Sequence, residues 1–178
     1  MRSKMRPSTA RSSSTAPCFS PTLARTRGYS ISVAALAQGG QVIGADLSTG
    51  MLTLAQAAIP GRAVQLDMRH LAFADGAFAG VWCMASLLHL PKADAPDALR
   101  EMYRVLAPGG ALVLGVQGGN GEGWEGVAYA APAERFFARY QPEEVATLLT
   151  STGFTVRQRG ETDERGRHWL QWFAIRGA

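Results

Sequence analysis

Two aspartates stand where apolar stretches of the chain end. Asp46 follows Val42-Ile43-Gly44-Ala45, and Asp67 follows Ala63-Val64-Gln65-Leu66. Such short runs favour buried parallel strands, and open α/β sheets bind ligands at the carboxyl ends of those strands. An acid there accepts hydrogen bonds from ribose hydroxyls in dinucleotide-type folds, and Gly28 lies near the expected distance upstream for a glycine loop. We predict Asp46 as a ribose ligand or as a cap of the next helix, and Asp67 as a ligand-site acid or a turn acid.

The sequence assigns no metal site and no catalytic residue. The three histidines, His70, His89 and His168, are scattered along the chain, and Cys18 and Cys83 do not form a pair with ligand spacing. His89 follows a long apolar stretch and has two interpretations. It is either a structural residue of its loop or a general base.

A glycine-rich stretch, residues 118–126, differs from a phosphate loop. It lacks the Lys-Ser/Thr pair of a P-loop, and it carries two glutamates that repel phosphate. We predict a lid on the substrate side, with a flexible connection as the alternative. His89, Trp124 and Tyr129 are candidates for the wall of a substrate pocket. The aromatic residues that follow either extend this wall or pack a helix onto the sheet: Phe136, Phe137 and Tyr140.

Strands and helices alternate along the chain. Strands are expected at residues 42–46, 63–66, 78–84, 111–116, 154–159 and 169–175, and helices begin near Ile31, Ser48, Asp94 and Pro142. The helix after Ser48 is expected to bury a face that includes Met51 and Leu54, and the apolar strand 78–84 is expected to be buried on both faces. The last two strands form a hairpin, so one of them runs antiparallel. We predict a three-layer α/β/α sandwich with a Rossmann-like, mostly parallel sheet and an antiparallel C-terminal hairpin.

Composition separates a tail from the rest of the chain. Residues 1–27 are rich in Ser, Thr, Arg and Pro and lack apolar periodicity, so we predict a disordered or aberrant tail followed by one domain at 28–178. The net charge is +4, but the six basic residues before residue 30 account for it, and the remainder has 12 basic and 14 acidic residues. This distribution argues against a nucleic-acid-binding face. With two cysteines and no membrane-length apolar run, we expect a cytoplasmic protein, monomeric or homodimeric.

Several segments together resemble the class I S-adenosylmethionine-dependent methyltransferases. They match that family's second to fifth strands and the turns between them, in the family's order and spacing, and the closing hairpin matches its reversed strand. The segments are Val42–Leu52, Leu66–Met68, Phe78–Leu90 and Arg104–Leu112.

The resemblance implies a cofactor, S-adenosylmethionine, and a set of residues that bind it. Asp46 and Leu47 correspond to the ribose site, Asp67 and Met68 to the adenine site, and Met84 and Ala85 to the loop that faces the methionine moiety. Gly28 corresponds to the last glycine of the cofactor loop. The implied reaction is methyl transfer to a small-molecule acceptor whose identity the sequence does not give.

One family motif is degraded or missing. The family's first strand ends in a G-x-G-x-G loop, whereas residues 20–30 here contain only Gly28 and no apolar strand precedes it. This departure supports an alternative, a non-catalytic methyltransferase-like remnant or truncated fragment that no longer binds the cofactor. A nicotinamide-dependent dehydrogenase is a third interpretation, which the closing antiparallel hairpin disfavours.

Overall fold

The computed structural model describes residues 41–126, 134–164 and 166–177. From Val42 onward the chain forms one compact unit. Gly28, Tyr129, the N-terminal tail and the helix expected from Ile31 lie outside the described residues. The predicted domain boundary at residue 28 also lies outside them.

A two-stranded parallel sheet begins the described chain. Strand β1 (Gly44–Asp46) pairs with β2 (Ala63–Gln65), and helix α1 (Thr49–Ala55) connects them. The prediction of a buried strand and a buried helix face here is wrong. The exposed fraction is 43% for Ile43, 40% for Met51 and 60% for Leu54, and no residue of α1 is buried. In the part of the chain that the structure describes, this two-stranded sheet is accompanied by one short helix, which is too small to cover both of its faces.

The main sheet has four strands: β3 (Phe78–Met84), β4 (Leu106–Gln117), β7 (Phe154–Glu164) and β8 (Arg167–Arg176). They lie side by side in the order β3-β4-β8-β7. β3 and β4 are parallel, whereas β8 is antiparallel to both β4 and β7. The expected antiparallel closing hairpin is therefore present, and its strands are longer than predicted.

Two details of this sheet differ from the predictions. β3 has only Cys83 fully buried, so it is not covered on both faces, and among the described residues it pairs with β4 alone. The strand expected at residues 111–116 begins earlier, at Leu106, and Pro108-Gly109-Gly110 lies inside it at a register shift: Phe78 pairs with Leu106, and Gly80 pairs with Ala111. Gly109 there has a φ of 75°, which a residue without Cβ adopts at little cost.

Two helices supply most of the core on the main sheet. Helix α2 (Ala95–Val105) buries Leu99 and Met102, and helix α3 (Pro142–Ser151) buries Val145 and Leu149. They pack against apolar side chains of the strands, among which the following are fully buried: Leu112, Leu114, Val116, Leu170 and Ala174. This α/β arrangement, with parallel strands connected by helices, is the Rossmann-like organisation that the sequence predicts.

The glycine-rich stretch forms a strand instead of a plain loop. Strand β5 (Glu122–Gly126) pairs antiparallel with β6 (Glu134–Ala138), which places Trp124 opposite Phe136. The interpretation of Phe136 and Phe137 as residues of a helix is therefore wrong, because both lie on β6. Paired backbones explain how a stretch with many glycines keeps a defined shape here.

Candidate functional site

The first predicted site residue, Asp46, lies at the carboxyl end of β1. Its Oδ1 accepts a hydrogen bond from the Ser48 amide at 2.8 Å, a local turn typical of aspartate. Ser48 is the residue that caps α1, because its hydroxyl accepts a bond from the Met51 amide at 3.4 Å. Capping therefore does not require the Asp46 carboxylate. Its Oδ2 has no hydrogen-bond partner among the described residues.

Leu47 follows Asp46 at the same edge. It is one of the most exposed apolar residues of the described chain, with 64% of its surface accessible. Its carbonyl accepts a hydrogen bond from Gln65 Nε2 at 2.9 Å, which fixes this backbone against the end of β2. An exposed leucine on a fixed backbone offers a flat apolar contact beside the Asp46 carboxylate.

Asp67 is held by an arginine that the sequence analysis missed. Arg69 donates to both carboxylate oxygens, through Nη2 at 2.6 Å and Nε at 3.1 Å, and its amide donates to Oδ1 at 2.9 Å. These side-chain hydrogen bonds lower the pKa of the Asp67 carboxyl below its ordinary value. Arg69 Nη1 also binds Asp94 Oδ2 at 2.7 Å, just before α2. A basic residue two positions after an acid is the sequence signal that would have suggested this pair.

Met68 and the loop after it are fixed to the body of the protein. Met68 is partly buried and packs against the main core. The Leu71 amide donates to Glu101 Oε2 at 2.7 Å, and Arg104 donates to the Phe73 carbonyl at 2.8 Å. The loop between β2 and β3 is therefore anchored on α2 at several points.

Met84 and Ala85 lie at the carboxyl end of β3. Ala85 has a φ of 55°, a left-handed conformation that is uncommon for a residue with a Cβ, and its amide donates to the Gly115 carbonyl at 3.0 Å. Gly115 leaves room for the Met84 side chain, since a Cβ at that position would overlap it. Observed backbone strain of this kind is often found at functional sites.

His89 connects this end of β3 to the β5–β6 hairpin. It ends a single 3₁₀ turn, Leu87–His89, and its Nδ1 lies 2.8 Å from the Phe136 carbonyl oxygen on β6. Its ring also packs edge-to-face on Phe137, with centroids 4.9 Å apart. A second link joins the Lys92 amide to Glu122 Oε2 at 2.6 Å. The hairpin is thus fastened to the segment that follows the predicted cofactor contacts.

Trp124 lies in the middle of β5, opposite Phe136 on β6. Its ring meets that of Phe136 edge-to-face, with centroids 5.8 Å apart, and 68% of its surface is exposed. Phe136 and Ala138 project from the same face of the hairpin and pack against the core. Trp124 therefore extends an inward-facing apolar surface beyond the part that the core covers.

The structure brings some of the predicted residues together and leaves others apart. Met84 and Ala85 lie at the end of β3, His89 follows them in the 3₁₀ turn, and the His89 hydrogen bond joins this turn to the hairpin that carries Trp124. Asp46 and Leu47 belong to the separate β1–β2 sheet. Within the described ranges, no group of His, Cys, Asp and Glu side chains could hold a metal ion. No helix in that same part of the chain is long and apolar enough to cross a membrane.

Comparison with known proteins places the chain in a family. The model of a family described as a methyltransferase domain matches residues 26–114, half of the chain. A demethylmenaquinone methyltransferase of Thermus thermophilus is 31% identical over 148 residues, which cover 68% of this chain and 66% of that protein. The chain spans about two thirds or less of the length of the first curated relatives that it matches.

Solved structures agree on the fold. A structure of a SAM-dependent methyltransferase from Methanosarcina mazei has a TM-score of 0.69 at 20% identity. The superposition covers 82% of this chain and 86% of the Methanosarcina chain. A Burkholderia thailandensis 1,6-didemethyltoxoflavin-N1-methyltransferase, solved with its substrate and S-adenosylhomocysteine, has a TM-score of 0.64 at 21% identity, with 82% and 65% coverage. The Rossmann-like fold and the resemblance seen in the sequence are both confirmed: this chain belongs to the methyltransferase domain family.

Proposed function

We propose that this chain binds S-adenosylmethionine and transfers its methyl group to a small-molecule acceptor. The observation that carries the proposal is the Asp46 carboxylate, which lies at the carboxyl end of a parallel strand with one oxygen unpartnered among the described residues. In a member of this family, such an acid is suited to accept hydrogen bonds from ribose hydroxyls. The activity of the whole protein is part of this proposal, because the chain spans only about two thirds or less of the length of its first curated relatives.

The described residues fit the ribose end of the cofactor better than the adenine end. Asp46 Oδ2 accepts no hydrogen bond from the described residues, and Leu47 offers apolar contact beside it. Asp67 already accepts hydrogen bonds from three N–H donors of Arg69, so its carboxylate can accept few further hydrogen bonds from a ligand. At that end we propose that Met68 flanks the base, while the charge of Asp67 serves mainly to hold Arg69.

Positioning is the main task that the proposed reaction leaves to the protein. When bound, the cofactor supplies a methyl group on a sulfonium, which is electrophilic without further activation. The chain's own residues would hold the methyl donor and the acceptor in line and exclude water. In many enzymes such orientation removes a large part of the activation barrier. Met84 and Ala85 are the proposed contacts on the methionine side. Ala85 is suited to this because a backbone held in a strained conformation is fixed in place.

A small-molecule acceptor is supported by two kinds of observation. The matched relative and one of the similar structures are named for small-molecule acceptors, demethylmenaquinone and 1,6-didemethyltoxoflavin. In this chain, the β5–β6 hairpin beside the end of β3 presents an aromatic surface on each face: the His89 ring packs against Phe137, and Trp124 packs against Phe136 on the other face. We propose that the Phe137 face is the acceptor side, and that the protein acts in the cytoplasm as a monomer or homodimer.

Isothermal titration with S-adenosylhomocysteine tests the cofactor part. We predict that Asp46→Ala weakens binding by about 1–3 kcal/mol, the range for hydrogen bonds to a charged group. The matched control is Asp97→Ala, which removes an exposed helix-surface acid paired with Arg100. The Asp97 variant should bind like the wild type. Equal affinity of a folded Asp46 variant would remove Asp46 from the site.

The same titration separates the proposal from its alternative. A folded wild-type chain that takes up no S-adenosylhomocysteine would be the non-catalytic remnant or fragment suggested by the degraded glycine motif, in which only Gly28 remains. A chain that binds the ligand retains enough of the site without the full motif. Transfer of radiolabel from the methyl group of S-adenosylmethionine to demethylmenaquinol then tests the reaction itself.

A further inference from the structure

We propose that His89 is the base that removes the proton from the methyl acceptor, an inference that rests on the proposed function. Sequence alone leaves this histidine open between a structural residue and a general base. The one hydrogen bond of its ring among the described residues decides which ring nitrogen is basic, and that nitrogen is the one available for chemistry.

The Phe136 carbonyl fixes the tautomer of His89. A carbonyl oxygen only accepts hydrogen bonds, so at 2.8 Å from it Nδ1 must carry the hydrogen and donate. In a neutral imidazole the other nitrogen, Nε2, then holds the lone pair. A histidine oriented in this way by a backbone carbonyl is a base with a defined direction, because Nε2 lies on the opposite side of the ring from the carbonyl.

Nε2 of His89 has no hydrogen-bond or ion-pair partner among the described residues, and the side chain is half-buried. The other two histidines differ. His168 lies between two carboxylates, with Nδ1 2.9 Å from Asp163 and Nε2 3.4 Å from Glu161. His70 is exposed on the loop after β2. Of the three, His89 alone combines a fixed tautomer, an uncommitted lone pair and partial shielding from water.

The position of His89 fits the acceptor side. It lies four residues after Ala85 at the carboxyl end of β3, where ligands bind in open α/β sheets. The same histidine fastens the hairpin that carries Phe136 and Trp124. The His89 ring packs against Phe137 of that hairpin, so an acceptor bound at the carboxyl end of β3 and against the Phe137 face would present its ionisable group to the loop that holds His89.

The proposed step balances as follows. The acceptor atom, an oxygen, nitrogen or activated carbon that carries a hydrogen, forms a bond to the methyl carbon of the sulfonium donor. The carbon–sulfur bond breaks, and its electron pair remains on sulfur. The hydrogen leaves the acceptor as a proton and is taken by Nε2, which later releases it to water. No oxidant, reductant or metal is required.

The tautomer can be measured on the full chain without cofactor or acceptor. Long-range ¹H–¹⁵N spectra of uniformly labelled protein at neutral pH should show His89 Nδ1 with the shift of a protonated nitrogen and Nε2 with that of an unprotonated one. The spectra of His89→Asn assign the signals by their loss. The opposite tautomer would overturn the proposal, whatever activity the protein shows.

An asparagine variant separates the base from the structural contact. In His89→Asn the Nδ2 group can still donate to the Phe136 carbonyl, but nothing replaces Nε2. We expect this variant to keep its melting temperature and its affinity for S-adenosylhomocysteine, and to lose at least about 100-fold in kcat with demethylmenaquinol, the lower range for general base catalysis. His168→Asn is the matched control and should transfer at the wild-type rate.

The outcomes remain distinct from those of the proposed function. Wild-type turnover by His89→Asn would assign the histidine to fastening the hairpin and leave the methyltransferase proposal intact. If the wild-type chain itself transfers no methyl group to demethylmenaquinol, that failure concerns the proposed function. In that case the tautomer is the remaining test of His89, and the opposite tautomer would still overturn its proposed role.

Discussion

The hydroxyl group of Tyr140 is buried without a hydrogen-bond partner among the described residues. The side chain is 1% exposed, and burial raises the pKa of its phenol to about 12. Lys92 covers the ring, with Nζ 5.1 Å from its centroid. Because an unsatisfied buried polar group costs about 1–3 kcal/mol, Tyr140→Phe should raise the free energy of unfolding by a similar amount. Urea denaturation at neutral pH measures the change.

Tyr103→Phe is the matched control for this residue. Tyr103 is half-buried and packs edge-to-face on Phe154, with centroids 5.1 Å apart, and its hydroxyl is not among the buried atoms that lack a partner. Removing the Tyr103 hydroxyl should change the free energy of unfolding less than removing the Tyr140 hydroxyl. A destabilised Tyr140→Phe variant would mean that an ordered water or another group satisfies the hydroxyl, which would contradict the prediction.

At the scale of elements, the helices and strands that local sequence signals specify were predicted correctly. Helix α3 begins at Pro142 as expected, because helix-start signals act within a few residues, and the closing hairpin has the expected direction. The β5–β6 pairing escaped prediction. β5 reads Glu-Gly-Trp-Glu-Gly, so its composition indicates a loop, and only its pairing with β6 makes it a strand.

The attachment of this hairpin leads to a testable expectation. Glu122 accepts a hydrogen bond from the Lys92 amide at 2.6 Å, and this bond joins β5 to the segment after the His89 turn. Glu122→Ala removes the acceptor, so hydrogen exchange of the Lys92 amide and of the β5–β6 amides should accelerate about 5-fold, corresponding to a net hydrogen bond of about 1 kcal/mol. Mass-spectrometric exchange on short peptides resolves this region.

Glu134→Ala is a suitable comparison, because Glu134 is an exposed acid on the other strand of the same hairpin. That variant should exchange like the wild type in the Lys92 peptide. Unchanged exchange in the Glu122 variant would show that the His89–Phe136 hydrogen bond and the aromatic contacts hold the hairpin without Glu122.

At the scale of the whole molecule, the sequence predicted the fold class and the antiparallel closing hairpin, but it overestimated how far the first strand and its helix are buried. Ile43 and Leu54 were expected in a buried layer and are exposed, because burial depends on elements distant in sequence. The candidate site shows the same division. The strand-end positions of Asp46 and Asp67 could be predicted from local pattern, whereas the Arg69 bridge to Asp94 spans 25 residues and could not.

The loop between β2 and β3 makes the stability of the whole domain dependent on pH. Hydrogen bonds from Arg69 lower the pKa of Asp67, and hydrogen bonds from Arg104 lower the pKa of Glu101. Both acids hold this loop against α2, and both side chains are largely shielded, with 27% and 22% exposure. A carboxyl group with a lower pKa in the folded state binds fewer protons there than in the unfolded chain, so acid favours unfolding.

The sign and the pH range follow from these shifts. The unfolded-state pKa values of Asp and Glu are about 3.9 and 4.3, so the stabilisation is fully present above about pH 5 and is lost as the pH falls through the lower folded-state values. The free energy of unfolding in urea should therefore decline between about pH 5 and pH 3. Asp67→Asn combined with Glu101→Gln should be less stable at pH 7 and should show a shallower decline, because both titrating groups are gone. Parallel pH curves for the wild type and this double variant would mean that the acid sensitivity arises elsewhere in the chain, and the loop contacts would then contribute little to it.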